Sequence, residues 1–329
     1  IRRPPRSTPS NSSAASDVYK RQVYLRKGMR WSDGAPFTSR DVLFWYEDIL
    51  RNKELTPIIG DMFKPGGELM KMEVVDDYTF RLHFAVPNPR FHYRFAACIA
   101  YPWSFGIYAP KHYLRKWHIK YNPEADELAK REGYDHWWQA FHFHGISMTH
   151  QQDPNLPTLH PWVLKKRTPT LEIFERNPYY WVVDTVGNQL PYIDELVSNV
   201  AGDVETANLK VISGEIDLVG MGLSLQNYPL YKENEKKGNY RVLLWQNTNS
   251  TEASLAFNLN HKDPVLRKIF QDVRFRRAMS LAINRDEISE VVYRGRAVPR
   301  QETALPTCSF YKEEWGKAYA QYDPEKANA

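Results

Sequence analysis

Early in the chain, the pattern of apolar and polar positions predicts strands and one capped helix. Val23–Leu25 alternate as in a strand, and Asp41 follows Thr38 by three residues, the spacing of a capping box. Apolar residues then alternate strictly over Tyr78–Phe84, directly after the turn-forming pair Asp76-Asp77. This alternation predicts a hairpin with one packed face and one solvated face.

Later in the chain, helical spacing dominates the pattern. Asp203 is placed to cap a helix over Val204–Ile212, and Gly214 suits the left-handed position that follows such a helix. Beyond it, Ile216 and Leu218 predict an inward-facing strand. The pattern therefore predicts a helix–strand unit of an α/β sheet.

Two more helices are predicted in Asp272–Gly295, divided at Asn284, which would cap the second one. Ile288, Val291 and Val292 form the apolar stripe of this second helix. Nothing in these stretches requires a catalytic explanation.

The length and charge of the chain narrow its class. A chain of 329 residues exceeds the usual size of one hydrophobic core, so two or more lobes are expected. Residues 1–22 hold five basic groups and one acid, which leaves 39 basic and 38 acidic groups, a net of +1, in the rest of the chain. Because a nucleic-acid binder needs a basic face on its folded body, no nucleic-acid partner is expected.

Residues 1–22 show no apolar periodicity and resemble translated adapter sequence. We interpret them as a disordered, non-native leader that contributes nothing to the fold. Cys98 and Cys308 are far apart, and two unpaired thiols are favoured over a disulfide. No apolar run approaches the length of a membrane span.

The sequence contains none of the common catalytic fingerprints, such as G-x-S-x-G, H-E-x-x-H or a P-loop. His142 and His144 alternate as on one strand face, with His150 nearby, and would suit zinc or nickel. Surface or hydrogen-bonded histidines are the favoured interpretation. We therefore predict no enzyme activity, no cofactor and no metal.

Several runs of the sequence are distinctive when they are taken together. The first run is VYLRKGMRWSDGAPFTSRDVLFWYEDIL at Val23–Leu50. The others follow it along the chain: Val74–Phe84, Phe174–Trp181, Pro191–Leu196, Ser213–Val219, Phe257–Asn260 and Asp272–Ile288. In this order they resemble the family 5 extracellular solute-binding proteins of ABC importers, whose members bind peptides, nickel or oligosaccharides.

The resemblance implies an α/β, bilobed periplasmic-binding-protein-like fold (type II, cluster C), incomplete at both ends because family members are longer. YDPEKANA at the end of the sequence resembles the start of a longer family helix. The implied organisation is a small subdomain of the first lobe at residues 23–160, its α/β part with a crossover at 161–250, and the start of the second lobe at 251–329.

The implied function is to capture oligopeptides by lobe closure and to deliver them to the permease subunits of an ABC transporter. A monomer is expected, in the periplasm or outside the cell, with or without a lipid anchor. Because Pro157–Trp162 and Trp181–Gln189 depart from the pattern of many relatives, an oligosaccharide ligand stays an alternative. A ligand-sensing receptor module and an enzyme on a related scaffold are the alternatives from other classes.

The resemblance places the crossovers between lobes near Val219–Gly222 and Leu244–Asn258. Glycines there can absorb backbone change during closure, and aromatic rings are candidates for the cleft walls. The expected ligand-binding residues are Tyr101, Trp103, Gly220, Met221, Trp245 and Asn258.

Overall fold

The computed structural model describes residues 19–92, 107–145, 153–219, 222–245 and 253–329. The chain divides into two compact units, Ile1–Val200 and Ala201–Ala329. This division falls inside the predicted segment 161–250. The described strands all lie in the first unit, and the regular elements described in the second unit are helices.

The first unit contains two antiparallel three-stranded sheets. Their strands are β1 (Lys20–Tyr24), β2 (Lys71–Asp76), β3 (Thr79–His83), β4 (Trp162–Arg167), β5 (Leu171–Arg176) and β6 (Glu195–Asn199). The strand orders are β1-β3-β2 and β4-β5-β6. The predicted hairpin is confirmed, because β2 pairs with β3 and the β3 residues Phe80 and Leu82 are buried.

The predicted boundary of the leader is wrong for its last three residues. Lys20, Arg21 and Gln22 pair with His83, Leu82 and Arg81 in register. A strand at the edge of a sheet satisfies its backbone groups by pairing, whatever the polarity of its side chains. The polar character of this segment therefore did not exclude it from the sheet.

The helices of the first unit are α1 (Ser39–Phe44), α2 (Lys111–Leu114), α3 (Ala125–Arg131) and α4 (Trp137–Gly145). A π-helical segment, Trp45–Leu50, continues α1 directly. The predicted capping box is confirmed: the Thr38 hydroxyl accepts a hydrogen bond from the Arg40 N–H at 3.3 Å, and the Asp41 carboxylate accepts one from the Thr38 N–H at 2.9 Å.

The core of the first unit is rich in aromatic rings. It joins β3 to the helices through the buried side chains of Phe44, Phe80, Leu114, Trp117 and Phe141. The WSDG turn is fixed to a distant segment, because the Ser32 N–H donates to the Thr158 carbonyl and the Thr158 N–H donates to the Ser32 hydroxyl, both at 3.0 Å.

The helices of the second unit are α5 (Val204–Ile212), α6 (Tyr228–Gly238), α7 (Pro264–Gln271), α8 (Val273–Leu281), α9 (Arg285–Tyr293), α10 (Glu313–Lys317) and α11 (Pro324–Asn328). Asp203 caps α5 through the Thr206 N–H at 2.7 Å, and Asn284 caps α9 through the Glu287 N–H at 3.1 Å, as predicted. Gly214 has a φ of +79°, which confirms its left-handed position.

The strand predicted at Ile216 and Leu218 is wrong. Both residues lie outside regular structure, and Leu218 is 89% exposed. A strand needs a hydrogen-bonded neighbour, and no residue described in this unit forms one. The apolar stripe of α9 is also uncovered, with Val291 71% exposed. Over the described ranges, no helix is long and apolar enough to span a membrane.

Candidate functional site

An open pocket of about 960 Å³ lies in the first unit, between α2, the segment that follows α2, and the C-terminal end of α4. We call it the Trp117 pocket. Its walls combine aromatic, acidic and basic side chains: His112, Tyr113, Arg115, Lys116, Trp117, Tyr121, Asn122, Glu132, His144, Asp153 and Asn155.

The back of the pocket is a stacked pair of rings. The His144 imidazole lies 3.7 Å from the Trp117 ring centroid, with 21° between the two planes. The Trp117 indole N–H donates to both oxygens of Glu132 at 3.1 Å. Because Trp117 is buried, its ring fixes the pocket wall and offers little surface for a ligand.

Two carboxylates hold His144 from opposite sides. Its Nδ1 lies 2.5 Å from Asp153 Oδ2, and its Nε2 lies 2.9 Å from Glu132 Oε2. Both ring nitrogens are thus engaged, so neither is free to take a proton from a bound molecule. The arrangement of His144 between Asp153 and Glu132 favours a structural role over a catalytic one.

The predicted placement of His142 and His144 on a strand is wrong, because both lie in α4. Histidines that alternate with aromatic residues over a short run also occur in a helix. This pattern alone therefore does not distinguish a helix from a strand. His150 lies outside the described residues. Within the described ranges, no three His, Cys, Asp or Glu side chains are arranged to hold a metal ion.

Asp153 links several side chains of the Trp117 pocket through hydrogen bonds. It accepts hydrogen bonds from the Tyr113 hydroxyl, from His144 and from the Asn155 N–H. Burial raises the pKa of Asp153, but these hydrogen bonds together lower it further, to about 2. Burial and the bond to Asp153 raise the pKa of Tyr113. Asp153 is therefore ionised at neutral pH.

A second buried acid, Asp48, holds one of the residues that line the pocket. Asp48 accepts hydrogen bonds from Lys120 Nζ and from the Tyr121 hydroxyl, each at 2.6 Å. His118 contacts the Asp48 carbonyl oxygen at 3.0 Å. Tyr121, which lines the pocket, is held in place by this network.

The rim of the pocket is basic. Arg115 and Lys116 are exposed there, and Lys116 Nζ lies 4.6 Å from the Trp117 ring centroid. His112 contacts the Asp33 carboxylate of the WSDG turn at 2.8 Å. Basic side chains at the rim and carboxylates deeper in the pocket suit a polar solute that carries both hydrogen-bond donors and acceptors.

Four of the six predicted ligand-binding residues, Tyr101, Trp103, Gly220 and Met221, lie outside the described residues. The other two, Trp245 and Asn258, belong to the second unit.

Trp245 is 85% exposed. Asn258 is exposed, and its side-chain oxygen accepts the Asn260 N–H at 3.0 Å in a local turn. Neither residue lines the Trp117 pocket.

The prediction missed Trp117, Glu132, His144 and Asp153 as members of one pocket. The usable signal was the density of Trp and His between Tyr121 and His144. Asp153 gave no such signal, because its side-chain donor Tyr113 lies forty residues earlier in the sequence.

Comparison with known proteins places the chain in a family. The profile of the bacterial extracellular solute-binding proteins, family 5 Middle, matches residues 12–329. The periplasmic alpha-galactoside-binding protein of Rhizobium meliloti strain 1021 is 25% identical over 336 residues, which is 95% of this chain and 43% of that protein.

Two solved structures extend the likeness to the fold. One, an oligopeptide-binding protein OppA, is 39% identical with a TM-score of 0.70, and the match covers 95% of this chain and 49% of that one. The other is MelB of Agrobacterium fabrum C58 in complex with stachyose, 24% identical with a TM-score of 0.67, over 95% of this chain and 45% of that one. The chain therefore spans about half the length of these relatives, and the predicted fold class is confirmed.

Proposed function

Because the chain belongs to the family 5 bacterial extracellular solute-binding proteins, we propose that it is the solute-capturing component of an ABC importer and that its solute is an oligopeptide. The observation that carries the choice of solute is the 39% identity to an oligopeptide-binding protein over 95% of the chain.

Capture requires a ligand-accessible surface and a backbone that can move. Trp245 supplies an exposed ring next to one predicted crossover, Leu244–Asn258. At the other crossover, Gly222 has a φ of +82°, a conformation that glycine adopts without the strain that a side chain would cause. Closure of two lobes about these crossovers would bury the solute without chemistry.

We expect the bound solute to be released without chemical change. His144, the best-placed general base in the Trp117 pocket, has both ring nitrogens engaged by carboxylates. The loaded protein would pass its solute to the permease subunits from the periplasm or the outer face of the cytoplasmic membrane, as a monomer.

An oligosaccharide is the second candidate solute. The relative named as an alpha-galactoside-binding protein supports it, at 25% identity. Exposed aromatic rings such as that of Trp245 suit sugars as well as peptides, since sugars stack their apolar faces on such rings.

A ligand-dependent thermal shift tests the proposal. The assay uses the 329-residue chain and, in parallel, the complete reading frame that contains it. A pool of di- to pentapeptides is compared with raffinose and stachyose. Binding to the native state stabilises by RT ln(1 + [L]/Kd), about 2.7 kcal/mol at a hundredfold excess over Kd, so the expected result is a clear rise with peptides.

Mass spectrometry of the recovered ligand completes the test. An unchanged peptide supports capture, and a shift with sugars alone selects the second candidate. Turnover of the bound molecule, or no shift with either class, would contradict capture of these solutes. Trp245→Ala should reduce the shift, whereas Trp315→Ala, which removes another partly exposed ring of the same unit, should not.

A further inference from the structure

A second pocket, of about 560 Å³, lies entirely within the second unit. It is bounded by α8, by α9 and by the segment that follows α9. Its lining includes a single acid, Glu302, and five arginines: Arg276, Arg277, Arg285, Arg296 and Arg300.

None of the five arginines forms an ion pair with a carboxylate within the described part of the chain, although the charge of Arg276 helps to lower the pKa of Asp272. The ion pairs of arginine that the structure describes involve other positions, such as Arg274 with Asp272. Five like charges around one small volume repel each other unless an anion sits among them. The chain beyond residue 22 is close to neutral overall. The excess of positive charge is therefore local to this pocket.

Two of the five arginines are anchored through backbone carbonyls. Arg285 donates to the carbonyls of Ser280 and Ala320 at 2.8 and 3.1 Å, and Arg276 donates to the Phe270 carbonyl at 2.7 Å. Burial lowers the pKa of Arg285, because its charge is removed from water without a counter-ion. These two residues fix the base of the pocket.

The other three keep their donors available. The guanidinium carbon of Arg277 lies 4.6 Å from the Tyr319 ring centroid, and that of Arg296 lies 4.3 Å from the Tyr228 ring centroid. Stacking orients a guanidinium but uses none of its N–H groups. The guanidinium groups of Arg277, Arg296 and Arg300 donate no hydrogen bond to any residue that the structure describes, although the backbone N–H of Arg296 donates to the Tyr293 carbonyl.

From this geometry we infer that the pocket is a binding site for an oxyanion, a phosphate or carboxylate group. Planar guanidinium forks match such groups with paired, charge-assisted hydrogen bonds. The inference concerns the anion-binding chemistry of this pocket and does not rest on the identity of the solute. We call it the arginine pocket.

Isothermal titration with sodium phosphate tests the site on the 329-residue chain, with sodium chloride at equal ionic strength as the reference. The wild type should bind phosphate and give no heat of binding with chloride. The double variant Arg277→Gln/Arg300→Gln should weaken phosphate binding at least about tenfold, because it removes charge-assisted hydrogen bonds. Arg274→Gln is the matched control, because Arg274 lies on the same helix and already pairs with Asp272 at 2.6 Å.

Circular dichroism of each variant checks that it is folded, and each single Gln variant is titrated as well, so that the result does not depend on the double variant. Equal responses to phosphate and chloride, or equal weakening in Arg274→Gln, would overturn the inference, as would no binding at all.

Competition by trialanine identifies the source of the anion. Displacement of phosphate by trialanine but not by its C-terminal amide assigns the site to a carboxylate of the solute. Failure of both to displace phosphate assigns it to a free inorganic ion. Both results retain an oxyanion site, and neither depends on whether the oligopeptide proposal holds.

Discussion

Replacing Asp153 with Asn removes the charge that connects the Trp117 pocket. The Asp153 carboxylate, whose side chain is 5% exposed, accepts from Tyr113, His144 and the Asn155 N–H. An Asn side chain keeps one oxygen but presents an NH₂ group in place of the other. Tyr113 and His144 both contact Oδ2, so in the variant they would meet either an NH₂ group or an uncharged oxygen in place of a carboxylate oxygen.

The size of the effect follows from two estimates. Leaving buried donors such as those of Tyr113 and His144 without their charged acceptor costs about 1 to 3 kcal/mol. Independently, the pKa of Asp153 falls from 3.8 to about 2, and at about 1.36 kcal/mol for each pKa unit this is a stabilisation of about 2 kcal/mol. We therefore expect Asp153→Asn to lower the free energy of unfolding at pH 7 by about 2 to 3 kcal/mol.

The dependence on pH has a definite sign. Because the folded-state pKa of Asp153 is lowered, its stabilisation is complete above the unfolded-state value of 3.8 and is lost as the pH falls toward about 2. Between pH 6 and pH 3 the wild type should lose about 1 kcal/mol through this group. The variant should lack that loss, so the two stabilities should converge on acidification.

Urea unfolding followed by tryptophan fluorescence measures both quantities, since Trp117 stacks on His144. Asp61→Asn is the matched control, because the Asp61 side chain is 95% exposed and should change stability by less than about 0.5 kcal/mol. A loss in Asp153→Asn no larger than in this control, or a difference from the wild type that does not shrink at low pH, would refute the reasoning.

Three further predictions concern local structure and binding. Thr38→Ala should cost about 1 kcal/mol by removing the capping box, whereas Thr38→Ser should retain most of it in the same urea assay. Gly214→Ala should cost about 2 kcal/mol or more, because its φ is +79° and the added Cβ would collide with the Gly238 carbonyl oxygen; Gly202→Ala, with open space around it, is the control for thermal unfolding. Trp245→Ala should leave the free energy of unfolding within about 0.5 kcal/mol, because the side chain is 85% exposed, while weakening ligand binding in titration.

Local signals predicted the helices well because their information is contained within a few residues. The caps at Thr38, Asp203 and Asn284 each depend on a side chain and an N–H group two or three positions away. The hairpin of β2 and β3 is equally local, since its strands are joined by a short turn at Asp77 and Tyr78. Such features can be predicted from neighbouring residues without knowledge of the rest of the chain.

Features that depend on distant partners were not predictable in this way. The pairing of Lys20–Gln22 depends on β3, more than fifty residues later. Ile216 and Leu218 alternate as in a strand but lie outside the strands of the two sheets, because a strand also needs a hydrogen-bonded neighbour. The Trp117 pocket likewise unites Tyr113 and Asp153, forty residues apart, through one hydrogen bond. Composition can indicate that such side chains are present, but only the fold brings them together.

The contrast between Trp117 and Trp245 bears on how ligand-binding experiments should be interpreted. Both are tryptophans, yet Trp117 is buried against His144 and Glu132 while Trp245 is exposed. Loss of binding in Trp117→Ala would be accompanied by loss of stability, because a buried ring of this size costs about 3 kcal/mol or more to remove. Loss of binding in Trp245→Ala at unchanged stability would instead indicate direct contact with the solute. Measuring stability and binding on the same two variants therefore distinguishes a residue that builds the protein from one that touches its ligand.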